Sequence, residues 1–182
     1  MLNVQRFNEL FGQGKVTMES LAAQLIRPGM DHADAIRALR NWRKGLFKPR
    51  PTKADIERLA GALGVEPVEI MEWHSSCRYA PMSASKARPV TRLIVGKPVQ
   101  AALDILGFTH RRAAPMLVKV LKAAMADADE QEADVHSLVV KEARVDDAGR
   151  RIGTKQFRAK DRGRAHEIRK RACHIHVTVA QV

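Results

Sequence analysis

The sequence has few aromatic residues: five Phe, two Trp and one Tyr among 182 residues. Proteins that bind single-stranded nucleic acid stack bases on exposed rings, so this scarcity argues against such a platform. The two cysteines, Cys77 and Cys173, are too few for a disulfide framework and suit a reducing compartment. No run approaches the roughly 18 apolar residues of a membrane span, and the N-terminus lacks a signal peptide's apolar stretch. We therefore expect a cytoplasmic protein without a membrane partner.

Charge of one sign is abundant, with 32 Lys or Arg against 20 Asp or Glu and a formal net charge of +12. Residues 1–76 contain 11 basic and 9 acidic residues, which gives a net charge of +2. Residues 77–182 contain 21 basic and 11 acidic residues, which gives a net charge of +10. Residues 150–171 alone carry ten cations and two carboxylates. This asymmetry predicts two domains, 1–76 and 77–182, and a polyanionic partner for the second.

Residues 1–76 show the apolar spacing of a small helical bundle. Residues 18–25 predict one helix, and Asp31 is a plausible N-cap for the next. Thr52 and Asp55 have the spacing of a capping box at the start of a third helix. The first domain is therefore expected to be all-α.

Part of this bundle, NWRKGLFKPRPTKADIERLAGALGVEPVEI, resembles the second part of phage-repressor-type helix-turn-helix domains. Residues 21–25, LAAQL, would be the helix before the turn. In that family the N-terminal residues of the next helix read base edges in the DNA major groove, and His32, Asp34 and Arg37 would occupy those places here. The distance from Leu21 to Trp42 is about seven residues longer than in the family, so its tight turn is missing. A DNA-binding regulator is the alternative function, beside a helical appendage that packs on a partner or on RNA.

Residues 77–182 predict an α+β domain. Ser83, Pro98 and Thr109 each precede apolar residues at helical spacing, and we take Ser83 and Thr109 as N-caps. Residues 138–145 are rich in β-branched side chains, and apolar and polar residues alternate at 173–179. These two segments predict strands.

The basic segment lies between these two strands, so it predicts a hairpin at about residues 145–170 rather than a free tail. Strand arms of about ten residues each would project some 30 Å past the domain. A two-stranded ribbon is marginal in water, and one with this charge repels itself. A polyanion that neutralises the hairpin would also fix its conformation.

The second half resembles bacterial large-subunit ribosomal protein number twenty-two over residues 78–180. Three segments match in order: RYAPMSASKARPVTRLIVGKPVQAALDILGFTHRRAAPMLVKVLKAAMADA, VKEARVDDAG and GRAHEIRKRACHIHVTV. The resemblance implies three helices on a three-stranded antiparallel sheet with a long hairpin. It implies binding to large-subunit rRNA, a role in subunit assembly, and a hairpin that lines the nascent-peptide exit tunnel. The implied partners are therefore large-subunit rRNA, neighbouring large-subunit ribosomal proteins and the nascent polypeptide.

Matching positions assign RNA contacts to cations on the first and third helices and along the hairpin, whose tip lies near residues 157–164. Arginine suits this role because its planar fork binds phosphate and stacks on bases. Each cation could instead be a solubilising surface charge. Lys119 is included because it lies opposite the apolar stripe of the third helix. The predicted RNA-binding residues are Lys86, Arg88, Arg92, Arg111, Arg112, Lys119, Arg150, Lys155, Arg158, Lys160, Arg162, Gly163, Arg164, Arg169, Lys170, Arg171 and His174.

Two departures from the family bear on this assignment. The tip, FRAKDRGRA, is about two residues longer than the usual form of the family, and it places the anion Asp161 at its apex. Pro89 and Pro115 fall inside predicted helices, which predicts a late start or a kink.

A zinc site could be imagined from Cys77, Cys173, His174 and His176. Adjacent residues of a strand point to opposite faces, so Cys173 and His174 cannot easily bind one ion, and no CxxC spacing occurs. The sequence contains no glycine-rich phosphate loop, nucleophile elbow or HExxH motif. We expect no metal, no cofactor and no enzymatic activity.

Overall fold

The computed structural model describes residues 1–13 and 16–181, with the side chains of residues 152 and 154 left out. The chain divides into two compact units. The N-terminal unit comprises Met1–Glu72, Gln131–Ala133 and Ala180–Val182, and the C-terminal unit comprises Trp73–Glu130 and Asp134–Val179. Within the described ranges, no helix is long and apolar enough to cross a membrane.

The N-terminal unit is helical, and its core consists of large side chains that solvent does not reach, among them Phe7, Leu39, Trp42 and Leu59. Its first helix was not predicted, although Phe7 and Phe11 are four residues apart on it and their rings lie 6.4 Å from each other. The elements are α1 (Val4–Gln13), α2 (Met18–Gln24), α3 (His32–Arg43), α4 (Lys53–Leu63) and a 3₁₀ turn at Pro67–Ile70.

The capping box predicted at the start of α4 is confirmed, because Thr52 Oγ1 accepts the Asp55 N–H and the Asp55 carboxylate accepts the Thr52 N–H. Asp55 is buried and pairs with Arg27 at 3.0 Å. Asp31 is the N-cap residue of α3, but its side chain makes no capping hydrogen bond. Seven residues, 25–31, separate α2 from α3, whereas a helix-turn-helix turn has about three or four.

The C-terminal unit contains α5 (Ala84–Ile94), α6 (Val99–Phe108), α7 (Ala114–Asp129) and a 3₁₀ turn at Val135–Ser137. The prediction that Thr109 caps the third of these helices is wrong. Thr109 ends α6, where its hydroxyl donates to the Ile105 carbonyl at 2.7 Å. Helix α7 begins late, after Ala113, so Pro115 lies in its first turn, where no helical N–H is required. Pro89 lies inside α5.

Three strands form one sheet in the order β1-β3-β2, with β1 at Glu72–Ala80, β2 at Leu138–Ala159 and β3 at Ala165–Gln181. The predicted alternation is confirmed, because Cys173, Ile175, Val177 and Val179 are all buried. Strand β1 also includes residues 74–76, so it crosses the boundary predicted between residues 1–76 and 77–182. Helix α5 packs on β2, and α6 packs on α7. The α+β class is therefore confirmed.

Strands β2 and β3 continue through the predicted hairpin and end at a 3₁₀ turn, Asp161–Gly163. The Lys160 N–H donates to the Arg164 carbonyl at 2.8 Å, which closes the loop. Arg162 and Gly163 have φ angles of 58° and 72°, so the tightest part of the loop is left-handed. A left-handed backbone favours glycine, which explains Gly163 at this point.

Candidate nucleic-acid interface

A cavity of about 850 Å³ opens in the C-terminal unit between the starts of two helices and the hairpin. We call it the basic cleft. Its lining holds cations beside the neutral residues Pro81, Met82, Ser83 and Ala113, and no Asp or Glu is among these described lining residues. The cations are Lys86, Arg111, Arg112, Arg151, Arg169, Lys170 and Arg171.

Local structure on the helical side presents three of these cations to solvent. Ala87 and Val90 are buried in the core, which leaves Lys86 on the exposed face of the first turn of α5. Arg111 and Arg112 lie in the connection between α6 and α7, and the Ala114 N–H donates to the Arg111 carbonyl at 2.9 Å. The cleft thus collects the N-terminal ends of α5 and α7, whose free N–H groups also favour an anion.

The hairpin side of the cleft is partly neutralised. Arg171 pairs with Asp147 at 2.8 Å, and Arg169 lies 3.7 Å from Glu167. Lys170 makes no ion pair in the described part of the chain, and the same holds for Lys86, Arg111 and Arg112 on the helical side. The cleft therefore keeps a strong positive charge.

Three carboxylates concentrate ion pairs at the base of the hairpin. Asp147 binds Arg171, Glu167 binds Arg150, and Asp146 lies 3.2 Å from Arg144. Farther out, Asp161 is the sole carboxylate among residues 151–166 beside six cations. Within the described side chains, no ion pair involves the distal cations Lys155, Arg158, Lys160, Arg162 and Arg164.

The predicted RNA-binding residues therefore divide into three places. Lys86, Arg111, Arg112, Arg169, Lys170 and Arg171 meet in the basic cleft, and the distal cations with Gly163 occupy the hairpin end. Arg88, Arg92 and Lys119 are exposed on α5 and α7 outside the cleft lining, whereas Arg150 and His174 are only partly exposed. Arg151 also lines the cleft. It was not among the predicted RNA-binding residues, although it lies in the basic segment 150–171.

The residues predicted to read DNA lie at the start of α3. His32, Asp34 and Arg37 are exposed, and the Arg37 guanidinium is 4.0 Å from the Asp34 carboxylate. This i,i+3 pair partly neutralises the charge that would face a phosphate backbone.

His174 has a defined hydrogen-bonding state. Its Nδ1 accepts the Tyr79 N–H at 3.1 Å, so a neutral ring carries its proton on Nε2, and the two rings meet edge-on at 4.7 Å. Cys173, the preceding residue, is buried, and burial raises the pKa of its thiol. Within the described residues, no group of three or more His, Cys, Asp or Glu side chains could hold a metal ion.

Burial and most of the charged groups around His176 oppose its protonation. Its ring stacks on His74 with the centroids 5.4 Å apart, and Asp146 lies 3.6 Å away. Burial lowers the pKa of His176 below the ordinary value, and the positive charges of Arg144 and His74 lower it further, against the opposing effect of Asp146. Folding therefore favours the neutral ring.

Because the pKa of His176 is lower in the folded than in the unfolded chain, its contribution to stability is complete above about pH 6.5 and is lost as the pH falls through the folded pKa. We expect His176→Gln to make the decline in the free energy of unfolding shallower over that acidic range. Urea denaturation at a series of pH values measures this. His110→Gln, at an exposed position, is the control, and equal declines in wild type and His176→Gln would contradict the expectation.

The comparison with protein families concerns the C-terminal part of the chain. The model of the family described as Ribosomal protein L22p/L17e matches residues 75–180, which is more than half of the chain. The match includes α5–α7, most of the sheet, the hairpin and every residue of the basic cleft. It confirms the resemblance seen in the sequence and leaves residues 1–74 outside. The family is one of structural ribosomal proteins of the cytoplasm rather than of enzymes, and this chain belongs to the Ribosomal protein L22p/L17e family.

Proposed function

We propose that the chain is a structural component of the large ribosomal subunit that binds rRNA through the basic cleft and inserts its hairpin into folded RNA. The hairpin tip would form part of the wall of the nascent-peptide tunnel. The chain would contribute no catalytic group and would support subunit assembly by joining RNA segments that contact the cleft and the hairpin.

The observation that carries this proposal is the convergence of seven cations from two helix starts and the hairpin in one cavity. A concave surface of one charge focuses its field on the solvent within it, so it attracts a polyanion more strongly than dispersed charges do. Five of the seven are arginines, which bind phosphate oxygens in a bidentate manner. Phosphate groups of folded RNA meet both requirements.

The hairpin supports RNA as the partner for a separate reason. Its distal cations lack intramolecular counterions within the described residues, so bringing them together costs free energy in the isolated chain. A groove between RNA segments presents phosphates on both sides of such an arm. Phe157 is 59% exposed near the distal end and could stack on an unpaired base.

Sedimentation tests the proposal directly. A tagged full-length chain produced in its source cell is expected to sediment with large subunits on a sucrose gradient at physiological salt and to remain bound after a moderate salt wash. A variant in which Lys155, Arg158 and Lys160 are changed to Gln should be lost more readily in that wash, because it has fewer phosphate contacts. Large subunits that lack the chain, with the chain recovered only in free fractions, would overturn the proposal.

A further inference from the structure

The end of α3, the connection to α4 and the first residue of α4 concentrate the positive charge of the N-terminal unit. Residues 40–53 contain six cations and no Asp or Glu, whereas the rest of residues 1–76 contains five cations and nine carboxylates. The net charge of +2 for residues 1–76 therefore conceals a segment of +6 and a remainder of −4. We call residues 40–53 the cationic loop; its cations are Arg40, Arg43, Lys44, Lys48, Arg50 and Lys53.

The middle of the cationic loop is fixed by a buried tryptophan and its neighbour. Trp42 is fully buried, and its Nε1–H donates to the Pro49 carbonyl at 2.7 Å. The Asn41 side-chain amide donates to the Lys48 carbonyl at 2.8 Å, and the Leu46 N–H donates to the Asn41 carbonyl at 2.8 Å. The backbone that carries the cations is thus ordered before any ligand arrives.

Both ends of the cationic loop are also held. The Arg43 guanidinium lies 4.5 Å from the centre of the Phe11 ring and donates to Asn8 Oδ1, while the Asn8 amide donates to the Arg43 carbonyl. The Thr52–Asp55 capping box begins α4 at the other end. A surface fixed in this way loses little conformational entropy on binding.

Most cations of the loop lack a counterion. Arg40, Lys44, Lys48, Arg50 and Lys53 are exposed, and none of these side chains makes an ion pair or hydrogen bond in the part of the chain that the structure describes. Some other cations of the unit are paired: Arg27 lies 3.0 Å from Asp55, and Arg6 lies 3.6 Å from Glu69. The loop is therefore available to an external anion.

We propose that the cationic loop is a second RNA-binding surface, which contacts the phosphate backbone of rRNA without reading sequence. The proposal rests on the proposed ribosomal function for the identity of the polyanion. A chain held on rRNA by its C-terminal unit presents the loop to neighbouring RNA at high effective concentration, so even weak phosphate contacts add to the total affinity.

Two other polyanionic surfaces fit the loop less well. A membrane surface would require a larger apolar face, but Leu46 is the only large apolar side chain of the loop that is more than half exposed among the described residues. A DNA duplex read by a helix-turn-helix domain would meet the start of α3, whereas the loop begins near its end.

The test measures binding of the full-length chain to purified large-subunit rRNA as a function of salt. Changing Lys44, Lys48 and Arg50 to Gln should reduce the slope of log K against log salt by about 2 to 2.7, which is 0.7 to 0.9 for each of three lost phosphate contacts. The control variant changes Arg6, Arg37 and Arg58 to Gln, which removes the same charge from the same unit outside the loop. The control slope should stay close to that of wild type.

Equal slopes for the loop and control variants would overturn the proposal. Loop-dependent binding to phosphatidylglycerol vesicles, without loop-dependent binding to rRNA, would overturn it in favour of a membrane. A variant that keeps the positive charge, with Lys44→Arg, Lys48→Arg and Arg50→Lys, should have the wild-type slope. This result would show that the loop variant loses affinity through its charge and not through a folding defect. If wild type binds rRNA but the slope of the loop variant equals that of the control, the proposed ribosomal function stands and this inference fails.

Discussion

Replacing Lys86, Arg111 and Arg112 with Gln is expected to weaken binding to large-subunit rRNA about 100-fold at physiological salt, because each lost phosphate contact forfeits its counterion release. The three side chains come from the starts of α5 and α7 and face one cavity. The slope of log K against log salt should fall by about 2 to 2.7. Filter binding or fluorescence anisotropy across a salt series measures both quantities.

The matched control replaces Lys97, Lys122 and Arg58, three exposed cations outside the cleft lining. Its affinity should fall much less, since a general loss of charge acts only through long-range attraction that salt screens. If both variants weaken binding equally, total charge rather than the cleft determines affinity, and the cleft loses its proposed role.

Trp42→Ala is expected to destabilise the N-terminal unit by about 3 to 5 kcal/mol, because it leaves a large cavity in the core. It also leaves the Pro49 carbonyl without its indole donor. A loss of this size is a large part of the roughly 5 to 15 kcal/mol that stabilises a typical domain. Hydrogen exchange of the amides in α1–α4, measured on the full-length chain, should become faster by orders of magnitude.

Trp42→Phe separates packing from the hydrogen bond. It keeps most of the buried apolar volume but cannot donate to Pro49, so we expect a loss of about 1 to 2 kcal/mol. Exchange in Trp42→Ala no faster than in wild type would show that Trp42 does not support the fold of this unit.

The sequence predicted best the features that depend on neighbouring residues. The capping box of Thr52 and Asp55 is a contact over three positions, and the alternation of 173–179 follows from the two-residue period of a strand. Helix α1 was missed although Phe7, Leu10 and Phe11 have helical spacing. The N-cap residue that marks its start, Asn3, was overlooked; its Oδ1 accepts the Arg6 N–H at 3.3 Å.

Features that depend on distant parts of the chain could not be predicted from local patterns. Thr109 has the chemistry of an N-cap, but its hydroxyl bonds back to Ile105, and tertiary packing decides between the two uses. The meeting of Lys86 with Arg111 and Lys170 depends on how α5, α7 and β3 pack, and no spacing along the chain encodes it. The resemblance to a family supplied those residues, whereas the cavity that joins them required the fold.

The ion pairs of Asp146, Asp147 and Glu167 at the hairpin base make the two ends of the arm electrically unequal. Under the proposed function, a polyanion that approaches the arm would meet uncompensated positive charge at its far end as well as in the basic cleft. Charge pairing at the base of the hairpin would thus leave two separate places for phosphate, the loop at Asp161–Gly163 and the cleft, and a single RNA could be held at both of them.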